Sequence, residues 1–138
     1  PYTTLFRSGL CALQGCYGWI GITKEMGRYF IVMHSRKMQD TSLRDVTVDY
    51  MPGTEVFRAP FDGNCAEFKV KGDFTAGRDV AEFYYRRNRR WIKAGEQKLF
   101  FKLDHFMGCR YGMFLYSTIK TGGEAVFWDG EYSCPDES

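Results

Sequence analysis

Carboxylates and imidazoles are the groups through which this chain could do acid–base chemistry, and their spacing argues against most of it. Hydrolysis of a glycosidic bond ordinarily uses two carboxyl groups facing each other across a cleft. Glu55, Asp62, Glu67, Glu82, Asp104, Glu124 and Asp129 are the candidates. Most of them fall in turns or on the polar side of an alternating strand, where a carboxylate is solvated rather than paired. His34 and His105 are far apart and have no Cys or Asp at ligand spacing, so no zinc site is expected. There is no GxSxG elbow, no HExxH and no phosphate-binding P-loop. Five cysteines (Cys11, Cys16, Cys65, Cys109, Cys134) are odd in number and lack CxxC spacing. They read as small buried hydrophobes with room for one disulfide.

Binding chemistry is better represented. Phe83-Tyr84-Tyr85-Arg86-Arg87-Asn88-Arg89-Arg90-Trp91 mixes four arginines with aromatic rings. Phosphates on guanidinium groups and bases on rings is the composition of a nucleic-acid contact. The same run also suits the tip of a β-hairpin, where charge discourages edge pairing. Carbohydrate binding needs ring platforms for the apolar face of a sugar and a few polar groups for its hydroxyls. Tyr17, Trp19 and Tyr29 are expected to line one face of a hairpin. Tyr111 and Tyr116 fall on opposite faces of their strand, so only one can join that surface. Gln14, Arg110 and His105 are polar groups nearby in the expected arrangement. Trp91 closes the arginine run as a further aromatic.

These residues need stiff supports, and the pattern around them is that of strands. Leu103–Gly123 opens as a loop with His105, Phe106 and Met107, continues as a strand from Arg110 to Ser117, and turns at Gly122-Gly123. Tyr17–Thr23 and Arg28–His34 alternate around a turn at Glu25-Met26-Gly27. Gly9–Gln14, Val46–Tyr50, Glu55–Ala59, Ala66–Phe74, Val80–Tyr85 and Gln97–Lys102 read as further extended runs, with Ala125–Tyr132 as a closing strand. No stretch keeps a helical apolar period. Strands this frequent, with turns between them, predict one all-β sandwich or barrel.

Bulk properties agree with this. One domain of 138 residues, 44% apolar and 26% charged, can bury a core. Aromatics make up 17%, which suits pleated sheets and ring-stacking surfaces alike. The net charge of +2 provides no global field for polyanions, so any basic effect is local. No apolar run is long enough to cross a bilayer.

Pro1–Ser8, Pro-Tyr-Thr-Thr-Leu-Phe-Arg-Ser, reads as a sequencing adapter translated in frame. The expected organisation is therefore an eight-residue scar (1–8) followed by a single module (9–138), a fragment of a larger reading frame such as metagenome assembly produces.

Several blocks in this order carry a family resemblance: Gly9-Leu-Cys-Ala-Leu-Gln, Tyr17-Gly-Trp-Ile-Gly-Ile, Lys71-Gly-Asp-Phe-Thr, Asp79-Val-Ala-Glu-Phe-Tyr-Tyr, His105-Phe-Met-Gly-Cys-Arg-Tyr-Gly-Met-Phe and Thr121-Gly-Gly. From Gly9 to about Tyr132 the chain resembles the C-terminal β-sandwich module of glycoside hydrolase family 43, the β-xylosidase and α-arabinofuranosidase type. The His-Phe-Met-Gly block is its most specific part. The resemblance implies an antiparallel, concanavalin A-like jelly roll, with leading strands before Gly9 absent. It implies a non-catalytic accessory role beside a five-bladed catalytic propeller that this chain lacks. The parent enzyme would be bacterial, with its compartment left open. By the same match His105 and Phe106 are the residues expected nearest a pentose unit. No cofactor is implied, although a structural calcium ion would be compatible with the fold. The chain departs from the family at Arg86–Arg90, where a Ser-Leu-Asp-Gly type hairpin is usual, and at its Phe127–Tyr132 ending.

The expected function is thus a carbohydrate-binding-like accessory module of a xylan-degrading enzyme, touching xylo-oligosaccharide or arabinoxylan. The expected carbohydrate-binding residues are Tyr17, Trp19, Tyr29, Trp91, His105, Phe106, Arg110 and Tyr116. Two alternatives stay open: a stand-alone jelly-roll hydrolase with paired carboxylates, and nucleic-acid binding through Arg86–Arg90. An exposed edge strand would also allow pairing between copies of the chain.

Overall fold

The computed structural model describes residues 6–14, 16–36, 53–63, 65–99, 109–117 and 124–133. Eight strands run in chain order: β1 (Phe6–Gln14), β2 (Cys16–Glu25), β3 (Arg28–Arg36), β4 (Thr54–Phe61), β5 (Phe68–Asp73), β6 (Val80–Arg87), β7 (Arg90–Lys98) and β8 (Arg110–Ser117). A 3-10 turn at Thr75–Gly77 links β5 to β6. The strands form two antiparallel sheets, β4-β3-β2-β1-β8 and β5-β6-β7. The all-β sandwich expected from the pattern is what the chain forms. No helix among the described residues is long and apolar enough to cross a membrane.

Local chemistry explains the hairpins. Met26 and Gly27 have φ of 50° and 75°, and Asn88 and Arg89 have φ of 51° and 64°. Two successive left-handed residues make the tight turn whose twist matches that of the flanking strands. Gly9 and Gly21 face each other across β1 and β2, and a Cβ on Gly9 would lie 1.9 Å from the Ile20 carbonyl oxygen. Only glycines let these two backbones come so close.

The inward faces of the two sheets make the core. Ala12, Ile20, Ile31 and Met33 of the larger sheet pack with Ala81, Phe83 and Tyr85 of the smaller and with Leu99, just past the end of β7. Polar groups also cross the gap. Gln97 is fully buried; its Oε1 accepts from the Ser35 hydroxyl, and its Nε2 donates to the carbonyls of Arg36 (3.0 Å) and Lys98 (2.9 Å). A buried amide with its bonds satisfied holds the two layers in one register. The smaller sheet packs chiefly on β1 to β4. β8 lies at its margin, with the Tyr111 hydroxyl against Gly72 of β5, where a Cβ would come within 2.1 Å of it. Tyr111, Met113 and Leu115 on the inward side of β8 stay exposed.

Several expectations need correction. Ala125–Tyr132 is not a closing strand: residues 124–133 join no ladder, and Asp129 takes a left-handed φ of 52° that interrupts extended chain. β1 begins at Phe6, and Phe6, Arg7 and Ser8 pair with both β2 and β8. Cys11, Cys16, Cys65 and Cys109 are free thiols. Val46–Tyr50, Gly15, Gly122-Gly123, Cys134 and the Leu103–Gly108 loop lie outside the described residues.

Candidate functional site

Register decides which side chains share a surface. Residues paired across an antiparallel ladder lie on the same face, and Tyr17, Leu13 and Arg110 form one such row across β2, β1 and β8. Trp19, Cys11 and Gly112 form the next, with His34 of β3 opposite Trp19. Thr23, Arg7 and Tyr116 form a third. All of these lie on the outward face of the five-stranded sheet. Tyr17, Trp19, Arg110 and Tyr116, drawn from opposite ends of the sequence, therefore meet on one face. Tyr111 pairs with Ala12 and falls on the other side, as the alternation of its strand requires.

Two other expected residues do not join them. Tyr29 pairs with Lys24, two positions from the Ile22–Ile31 pair on the inward face. The hairpin turn takes two residues, which puts Tyr29 out of phase with Trp19, so the expected Tyr17–Trp19–Tyr29 surface does not form. Trp91 lies in β7, on the outward face of the smaller sheet. His105 and Phe106 lie outside the described residues.

Trp19 is not an open platform. It stacks on His34, ring centroids 4.4 Å apart, and takes edge contacts from Phe114 (5.1 Å) and Tyr116 (6.4 Å). The Arg7 guanidinium lies 5.5 Å from the Trp19 ring, and its Nη1 donates to the Tyr116 hydroxyl at 3.1 Å. Trp19 is left 6% exposed, whereas Tyr116 keeps 39%. The exposed ring on this face is Tyr116, with Trp19 as its backing. Arg7 belongs to the octapeptide that reads as an adapter, and no functional role is assigned to it.

His34 and Phe114 were not among the expected residues; His34 could have been found from its place opposite Trp19 in the hairpin register. Its Nδ1 lies 3.3 Å from the Gly53 carbonyl oxygen. Because a carbonyl only accepts, Nδ1 carries the proton of the neutral ring. Nε2 then faces the Glu55 carboxylate at 3.7 Å with no hydrogen-bond partner. Burial pushes the His34 pKa below its usual value, Arg7 adds to this, and the Gly53 bond and Glu55 only partly oppose it.

Glu55 reaches this face through a bulge. Phe57 pairs with Met33 and Glu55 with His34, which leaves Val56 as an extra residue in β4. A bulge re-aims the side chains beyond it. Arg58 then grips two acids, Glu25 through both terminal nitrogens (2.9 Å each) and Glu55 through Nε (2.6 Å) and Nη2 (2.9 Å). The Glu55 carboxyl is held below its ordinary range chiefly by these bonds. On the smaller sheet, Glu82 is held low chiefly by the Tyr84 hydroxyl, and the tyrosine is pushed up to about 12 by the same contact. Glu55 and Glu82, the candidate catalytic acids whose titration the fold shifts, are both held ionised. A general acid for glycoside cleavage needs the opposite shift. Among the described residues no three His, Cys, Asp or Glu side chains cluster as metal ligands.

The outward face of the smaller sheet carries the second aromatic group. Lys69 Nζ lies 4.6 Å from the Tyr84 ring and 4.7 Å from the Trp91 ring, and the Arg86 guanidinium lies 5.7 Å from Trp91. A cavity of about 350 Å³ opens beside it, lined by Cys65, Ala66, Glu67, Arg86, Asn88 and Arg89.

Compared with known proteins, the chain matches no family model, no curated protein and no solved structure.

Proposed function

We propose that this chain is a non-catalytic, carbohydrate-binding-like module of the family 43 glycoside hydrolase type, with a concanavalin A-like sandwich that buttresses a catalytic domain and contacts xylo-oligosaccharide or arabinoxylan. The observation that carries the reading is that Tyr17, Arg110 and Tyr116 share one sheet face, Tyr17 in one cross-strand row with Arg110 and Tyr116 six residues further along β8, with Trp19 packed edge-on to Tyr116. A stiff sheet presenting rings beside a guanidinium suits a sugar, whose apolar face stacks while its hydroxyls take hydrogen bonds. The Arg58 grip on Glu25 and Glu55, and the lowered titration of Glu55 and Glu82, favour binding over hydrolysis.

Titration with oligomers of xylan, arabinoxylan and cellulose, run beside a reducing-sugar release assay, tests this. Binding of a xylan-type oligomer without release, weakened by Tyr116→Ala, is the expected result. Release of reducing sugar that Glu55→Gln or Glu82→Gln abolishes would overturn the reading in favour of a hydrolase.

A further inference from the structure

The outward face of β5, β6 and β7 is divided by charge along its strands. At one end Arg78 bonds Asp73 (2.8 Å) and reaches Glu82 and Glu96 (3.4 Å each), while Lys93 pairs with the same two glutamates. Each acid there has a cationic partner, while Lys71, opposite Glu82 in the ladder, has no ion pair among the described residues. Towards the β6–β7 turn, Lys69 and Arg86 share this face with one carboxylate, Glu67, which Arg86 holds at 3.2 Å. Arg89 sits in the turn itself, and the Arg87–Arg90 pair falls on the opposite face. Lys69, Arg87, Arg89 and Arg90 have no ion pair among the described residues.

Three features make this end more than a solvated hairpin tip. Tyr84 and Trp91 hold Lys69 over their rings, which positions the ammonium without neutralising it. Trp91 remains 39% exposed and offers an apolar surface beside that charge. A solvent-open depression lies beside Arg86 and Arg89, and Glu67, on its wall, already presents a carboxylate to Arg86.

We propose that this end of the smaller sheet binds a carboxylate-bearing glycan, with a uronate group taken by Lys69, Arg86 and Arg89 and a sugar ring laid against Trp91. The inference rests on the glycan-handling reading above and specifies an acidic substrate for it. A uronate glycan fits better than a nucleic acid. Single-stranded nucleic acid needs successive stacking rings and a continuous basic track. Here one exposed tryptophan is flanked by cations. After the rows of Arg86–Trp91 and Lys69–Tyr84–Lys93 the basic track is broken by Glu82 and Glu96, in the row of Lys71, with Asp73 beyond. Sparse negative charge is accommodated; a phosphate at every residue is not.

Calorimetric titration of the full chain at low salt with three probes tests the proposal: a xylo-oligosaccharide bearing a glucuronic acid branch, the same oligosaccharide unbranched, and a short oligothymidylate. The branched sugar is expected to bind more tightly than the unbranched one. Glu67→Gln, which frees Arg86, is expected to tighten it further by about three- to fivefold, the scale of one exposed ion pair. Arg89→Asn, which suits the left-handed backbone at that position, and Trp91→Ala are expected to weaken it, with the unbranched sugar unaffected. A gain of affinity in Glu67→Gln cannot come from misfolding. Equal binding of the two sugars, or branched-sugar binding indifferent to all three substitutions, overturns this inference and leaves the proposed function standing. Failure of both sugars overturns both. Tighter binding of the oligothymidylate through the same residues overturns it in favour of a nucleic-acid partner.

Discussion

Trp19 and His34 lie face to face across the β2–β3 ladder, ring centroids 4.4 Å apart and planes 11° from parallel. The indole covers the imidazole, and the Gly53 carbonyl fixes which nitrogen carries the proton. The stack is thus built around a neutral ring.

Acid should loosen it. Burial holds the folded-state pKa of His34 below the ordinary 6.5, so the unfolded chain binds the proton first. The stability His34 contributes is present above about pH 6.5 and is lost as pH falls towards the folded pKa. Denaturant midpoints measured from pH 7.5 to 5.5 are expected to fall with acidity, and His34→Gln should flatten that slope. Arg7→Ala should raise the His34 titration seen by NMR, because the guanidinium is the second cause of the shift.

A second acid-sensitive element sits at the β5–β6 connection. Thr75, through its hydroxyl and backbone N–H, and Arg78 bond Asp73 and lower its pKa to about 2. The folded pKa lies below the unfolded value of 3.8, so this contribution is complete above about pH 4 and disappears as pH falls to 2. Asp73→Asn is expected to remove that part of the acid transition while leaving stability at pH 2 and below nearly unchanged.

The Gly9–Gly21 crossing leaves no space for side chains. A Cβ at Gly21 would stand 2.2 Å from the Ser8 carbonyl oxygen. Gly9→Ala or Gly21→Ala should each destabilise the sandwich by about 3 kcal/mol, the upper range for overpacking against backbone that cannot retreat. Chemical denaturation measures this directly; a loss below about 0.5 kcal/mol, the scale of a neutral surface change, would contradict the close approach.

Gln97 ties the two layers together. Gln97→Leu removes the amide, strands the Ser35 hydroxyl and takes the Gln97 donor from the Arg36 and Lys98 carbonyls, of which Lys98 keeps the Cys16 thiol. A loss of about 2 to 3 kcal/mol is expected, each buried group left without a partner costing about 1 kcal/mol or more. Ser35→Ala made together with Gln97→Leu should cost less than the sum of the two, because they share one bond.

The strands, their antiparallel partners and the apolar faces follow from alternation in the chain. Ile20, Ile31 and Phe83 are inward because period two puts them there, and Met26-Gly27 announces its own turn. That Tyr116 rather than Tyr111 joins Trp19 is also consistent with phase alone. Phase is reset, however, wherever a strand carries an extra residue. The bulge at Val56 brings Glu55 round to His34, and the one at Ala94 sends Gln97 inward between the sheets. Unbroken alternation would have put both on the opposite sides. Such resets come from ladder geometry between distant segments, as does the placing of β8 beside β1, about a hundred residues away. Composition could name the rings and guanidinium groups of the candidate sites. Which of them share a face, and that Trp19 is covered while Trp91 is open, depend on contacts the linear pattern does not encode.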